Sequence, residues 1–185
     1  MKKFILMLTI LAISSSSFAF NDKEDRKEIL DTNSKILKRL YKEQSSTKKK
    51  IAKAAGYATF SNIGVNVIFI SAGGGTGVVH NNSTGKNIFM KMASGGLGFG
   101  LGIKDFNAVF IFHTKEALQK FINDGWDFSG QVDAAAKSGK KGDEISAAAT
   151  IVDDVEIYQM TENGLALQAT LQGTKYWQDD DLNDN

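Results

Sequence analysis

Apolar and charged residues first alternate with a helical period. Ile29, Leu30, Ile36, Leu37 and Leu40 recur at near-heptad spacing with charges between them, which predicts an amphipathic helix. Asn33 interrupts the stripe. Ser45-Ser46-Thr47 reads as a break, with Thr47 placed to cap a second short helix over residues 48–55. After Gly56 the period shortens. Residues 57–60, 65–70, 77–80, 88–92 and 108–112 are β-branched or aromatic runs separated by Gly, Asn and Ser, the pattern of strands. Residues 81–85 (NNSTG) predict a hairpin loop. Residues 114–123 return to a helical period, with Thr114 as N-cap and Ala117, Leu118, Phe121 and Ile122 on the apolar face. Two further strands, residues 155–161 and 165–172, flank Glu162-Asn163-Gly164, where Asn-Gly supplies the positive φ of a tight hairpin. Residues 128–137 are read as strand despite their alanines. The expected class is α+β: a helical N-terminal arm, then a mostly antiparallel sheet with one packed helix.

The first residues break this pattern. Met1-Lys2-Lys3, an apolar run over residues 4–13 and a Ser17-Phe18-Ala19 ending form the n-region, h-region and cleavage site of a secretion signal. The run is shorter than the roughly 20 residues a membrane span needs. Residues 1–19 are therefore expected to be removed, leaving a chain that begins at Phe20, has no transmembrane segment and works in the periplasm or outside the cell. The absence of Cys excludes disulfides, thiolate metal sites and a lipid-modified cysteine. With no Pro either, the turns fall to Gly, Asn, Asp and Ser.

The formal net charge is +1, and loss of Lys2 and Lys3 takes it to about −1, so no overall field draws in nucleic acid. The distribution is uneven. Lys48, Lys49, Lys50 and Lys53 form a purely basic cluster, while residues 179–185 carry Asp179, Asp180, Asp181 and Asp184 and read as a solvated acidic tail. The expected domains are the signal (1–19), the helical arm (20–47), the α+β domain (48–178) and that tail.

Nucleotide and metal fingerprints fail on spacing. Around Gly73-Gly74-Gly75-Thr76-Gly77 the third glycine of GxGxxG falls on Val78 or His80. A P-loop ending at Gly85-Lys86 would need glycine at His80 and Ser or Thr at Asn87. The two histidines, His80 and His113, are far apart, and no GxSxG elbow occurs. The expectation is a non-enzymatic protein with no catalytic, cofactor or metal site. Residues 95–103 (GGLGFGLGI) alternate glycine with Leu97, Phe99, Leu101 and Ile103. In a strand this gives one bare face and one apolar face, suited either to close packing of another element or to a smooth groove for an acyl chain.

The stretch AKAAGYATFSNIG (residues 52–64) resembles the opening motif of the SYLF family of lipid-binding domains. The glycine-rich residues 73–79, residues 94–102, VFIF (109–112) and TKEALQKF (114–121) follow in that family's order. Ile157-Tyr158, Asn163-Gly164-Leu165 and LQGT (171–174) resemble its closing hairpin, so the likeness spans about residues 48–183. The resemblance implies a strongly bent, barrel- or sandwich-like antiparallel sheet. It also implies phosphoinositide binding in eukaryotic relatives, actin binding in some of them, and phospholipid contact in exported bacterial ones. Ser61 stands where the family usually has Pro, and Val65-Asn66 replaces a typically basic continuation. The expected compensation is the lysine cluster. Lys48, Lys49, Lys50 and Lys53 would meet anionic phospholipid, and the helix carrying Ile36, Leu37 and Leu40 would contact the membrane. The alternative is an envelope protein that self-assembles or docks to another protein.

Overall fold

The computed structural model describes residues 22–67, 70–97, 105–127, 150–166 and 173–184. Helices α1 (Asp22–Glu43) and α2 (Thr47–Lys53) precede three long strands, β1 (Gly56–Val67), β2 (Ile70–Asn81) and β3 (Asn87–Leu97). Strand β4 (Phe106–Phe112), helix α3 (Lys115–Asp124) and the short β5 (Trp126–Asp127) follow. The chain continues through β6 (Thr150–Val152), β7 (Val155–Thr161), β8 (Gly164–Leu165), β9 (Thr174–Gln178) and α4 (Asp180–Asn183). The strands form one sheet in the order β5-β9-β3-β2-β1-β4-β7-β6, with β8 paired to β7. Every pairing is antiparallel. The fold is α+β, with the sheet curled into an open half-barrel.

Strand alternation sends successive side chains to opposite faces, and each face has its own helical cover. On the inner face Ala58, Phe60, Met90, Met92, Phe110 and Ile157 pack with Leu118, Phe121 and Ile122 of α3. The rings of Phe60 and Tyr176 meet edge-on at 4.7 Å, and those of Phe110 and Phe121 stack at 5.6 Å. On the outer face Val109, Ile111, Tyr158 and Met160 receive Ile36 and Leu40 of α1, Ile51 of α2 and Ala54 just after it. Ile29, Val78, Phe89 and Leu182 make a third cluster. Each such large apolar side chain contributes about 1.5–3 kcal/mol of burial.

The local signals for α3 and the hairpins hold. The Thr114 hydroxyl accepts from Ala117 N–H at 3.3 Å, and Gly85 and Gly164 turn with positive φ at 69° and 107°. Other expectations change. Residues 65–67 extend β1 and Ile70 opens β2, so these strands are longer than the sequence pattern indicated. Thr47 is the first residue of α2, not its cap, because its hydroxyl donates back to the Gln44 carbonyl at 2.6 Å. Asn33 does not interrupt the buried stripe. It is buried itself, its side-chain oxygen accepting from the Thr59 hydroxyl at 2.9 Å. The acidic tail is not wholly solvated, since Asp179 is 3% exposed and accepts from Leu182 N–H to cap α4. The expected signal, the strand at 128–137, residues 98–103 of the glycine alternation and residues 167–172 lie outside the described residues.

Candidate functional site

Helix α2 is short, and side-chain bonds from elsewhere hold it. The carbonyls of Ile51 and of Ala54, at its C-cap, accept from the Asn82 side-chain amide at 2.7 and 3.0 Å, and Ala55 N–H donates to Phe112 O at 2.9 Å. Thr47 and Ile51 point into the fold, so helical geometry turns Lys48, Lys49 and Lys53 to solvent.

Lys50 points the other way. Its ammonium donates to Glu156 Oε1 at 2.5 Å and to the Tyr158 hydroxyl at 3.2 Å. Tyr158 also donates to Glu156 Oε1 at 2.5 Å, and His113 Nε2 lies 3.4 Å from Oε2. Burial pushes the Glu156 carboxyl up, but hydrogen bonds from His113, Lys50 and Tyr158 outweigh it and hold the group at about 2. Burial and the adjacent Glu156 carboxylate push the Tyr158 phenol upward. Lys50 is thus committed to the fold. Only Lys48, Lys49 and Lys53 of the four sequence-predicted cations form an open basic surface.

The apolar half of the expected membrane site is corrected. Ile36 is 4% exposed, Leu40 is fully buried, and Leu37 is half-buried against the same cluster. The stripe expected to meet lipid is the one that fastens α1 to the outer face of the sheet.

A second feature was not anticipated. Among the described residues, nothing covers the outer face of the sheet beside the first half of α1, leaving a groove of about 1060 Å³. Its floor is Ser61, Gly74, Gly75 and Thr76. One wall carries Asp22, Asp25 and Glu28 of α1, and the other Asp181, Leu182 and Asp184 at the C-terminal turn. Lys91 is the cation among its lining residues, and it bonds Asp179 at 2.8 Å and Asp181 at 3.1 Å. Those bonds, Asp179 first, raise its ammonium above the ordinary lysine range. The i, i+3 spacing of Asp22, Asp25 and Glu28 was visible in the sequence, but the floor and far wall come from segments remote in the chain. Among the described residues no three His, Asp or Glu side chains are grouped to hold a metal. No helix among them is long and apolar enough to cross a membrane.

The sequence family described as Ysc84, Las17-binding protein actin regulator, matches residues 93–185. Beta cell expansion factor A of Aeromonas veronii is 37% identical over 160 residues, covering 86% of this chain and 59% of that protein. The chain thus spans less than two thirds of that relative's length. Curled antiparallel sheet, motif order and both matches agree: the chain belongs to the Ysc84 (SYLF) family.

Proposed function

We propose that this chain is an exported, non-enzymatic binding protein that contacts anionic phospholipid at a membrane surface through Lys48, Lys49 and Lys53. Family membership supports a lipid- or protein-binding role. One observation carries the finer reading: α2 is pinned by Asn82, Ile51 and Lys50, so its remaining lysines form a fixed cationic edge. No acidic residue lies on that helix to neutralise them. Each lysine near an anionic surface contributes about 1 kcal/mol, so the three together shift partitioning on the order of 100-fold. With Ile36 and Leu40 committed to the core, attachment is electrostatic and peripheral, without an inserted apolar stripe.

The test is flotation of the chain, as the expressing cell processes it, with phosphatidylcholine vesicles and with vesicles also containing phosphatidylglycerol. Flotation is expected with the anionic vesicles alone, at low salt, and is lost in Lys48→Glu/Lys49→Glu/Lys53→Glu. Equal flotation of that variant removes the lysine mechanism. No flotation of the wild type with either vesicle removes the lipid reading.

A further inference from the structure

The geometry points to head-to-tail self-association, in which the α2 lysines of one copy seat in the acidic groove of the next. The two surfaces are complementary in charge. Asp22, Asp25 and Glu28 line the α1 wall of the groove and make no ion pair among the described residues, and Asp184 adds a carboxylate opposite. Lys91 is already held by Asp179 and Asp181, and Arg26 by the carbonyls of Leu182 and Asp184, so neither pairs with the acids of the α1 wall.

The occupant that fits is short and purely cationic. At 1.5 Å per residue, the groove acids Asp22 to Glu28 span about 9 Å along α1, and Lys48 to Lys53 span about 7.5 Å along α2. The exposed lysines of α1 are less suitable, because acids alternate with them along that helix. A groove of about 1060 Å³ is at the upper end of small-ligand sites and has room for several side chains.

The contact must be between copies. Along β1, Tyr57 packs against the cluster holding Ile51 of α2, Thr59 bonds Asn33 of α1, and Ser61 floors the groove. Helix α1 therefore stands between a chain's own lysines and its own groove. Seating of one α2 in one groove without the reverse contact is heterologous, and it adds copies as an open chain or a closed ring. This inference does not rest on the lipid reading, and its test contains no lipid.

The experiment is light scattering of the full chain, as processed by the cell, over a range of concentrations. It compares low ionic strength, where the Debye length is about 30 Å, with 1 M salt, where it is about 3 Å. The expected result is a wild-type mass that climbs past the dimer with concentration at low salt and returns to monomer at high salt. A groove variant (Asp22→Asn/Asp25→Asn/Glu28→Gln/Asp184→Asn) and a lysine variant (Lys48→Gln/Lys49→Gln/Lys53→Gln) should each be monomeric alone. Mixed, they should form a 1:1 dimer and nothing larger, because one intact α2 meets one intact groove. A wild type that stays monomeric at low salt overturns the inference whatever the variants do, as does either variant associating alone or the mixture remaining monomeric.

Discussion

The Lys50 ammonium lies 2.5 Å from the Glu156 carboxylate, joining α2 to β7 across 106 positions of sequence. Glu156 is buried while Lys50 keeps about a quarter of its side chain in solvent, so the carboxylate is the partner that suffers when the pair is broken. Lys50→Met should lower stability by about 2 kcal/mol, because Tyr158 and His113 remain as partial partners. Glu156→Gln should cost less than Lys50→Met, since it removes the buried charge along with the pair. Urea unfolding of both variants and the double mutant checks this. Additive effects in that cycle would show that the two residues do not act together.

The same carboxylate gives the fold an acid limit. Its ordinary value is 4.5 and its folded value about 2, so the native state holds the proton less tightly than the unfolded chain does. The stabilisation is complete above about 4.5, shrinks as pH falls from there, and is gone below about 2. Wild type should therefore lose stability between pH about 5 and about 2 more steeply than Glu156→Gln. Parallel pH profiles for the two proteins would rule Glu156 out as a source of the acid sensitivity.

Glycines in β2 and β3 separate into those the fold requires and those it tolerates. A Cβ at Gly75 would run into the Ser61 carbonyl, and one at Gly77 into the Phe60 ring and the Thr59 carbonyl. At Gly73 it would sit 2.5 Å from Ser94 Oγ and 2.8 Å from Asn62 Oδ1. A Cβ at Gly95 meets nothing within 4 Å among the described residues. Gly75→Ala should therefore destabilise by about 2–3 kcal/mol, because backbone must move. Gly95→Ala should stay within about 0.5 kcal/mol of wild type, and it lowers the freedom of the unfolded chain. Thermal melts of the two single variants decide it, and equal shifts would refute the distinction.

What the sequence could and could not reveal follows from the range of the forces involved. The cap at Thr114, the Asn163-Gly164 turn and the stripe of α1 are local and were legible. The stripe said that α1 has an apolar face, but not whether membrane or sheet covers it. Val109, Tyr158 and Met160, far along the chain, supply that cover. Asn33 looked like a flaw because its partner Thr59 lies 26 residues away. Lys50 looked like its neighbours for the same reason: periodicity shows that it shares a helix with Lys48, not that Glu156 waits beneath it. The lengths of β1 and β2 were obscured by Gly64 and residues 73–75, which weaken the strand pattern, although close packing calls for glycine at 73 and 75. The groove was the least legible feature, being assembled from α1, β1, β2, β3 and the C-terminal turn.

Among the bonds that attach that C-terminal turn is one from an amide side chain that imitates a strand. Pairing of β9 with β3 ends at Gln178 and Met90, leaving Phe89 one position beyond the ladder. Asn183 fills the gap: its Oδ1 accepts from Phe89 N–H at 2.9 Å, and its Nδ2 donates to Phe89 O at 2.7 Å. Arg26 secures the same turn from α1 by donating to the carbonyls of Leu182 at 2.9 Å and Asp184 at 3.1 Å. Without Asn183 the Phe89 N–H loses its acceptor, and the turn keeps the Asp179 N–H bond to Phe89 O at 3.0 Å, the Arg26 bonds, the Lys91 pairs and buried Leu182 to hold it. Asn183→Ala should therefore speed hydrogen exchange at Phe89 on the order of 10- to 100-fold, a local opening easier by about 1.4–2.8 kcal/mol. Phe110, in the middle of the inner core, should exchange at its wild-type rate. If both amides accelerate equally, the variant has lowered global stability, and Asn183 is not the local fastener described here. An unchanged rate at Phe89 would mean that Arg26 and Lys91 suffice to keep α4 in place.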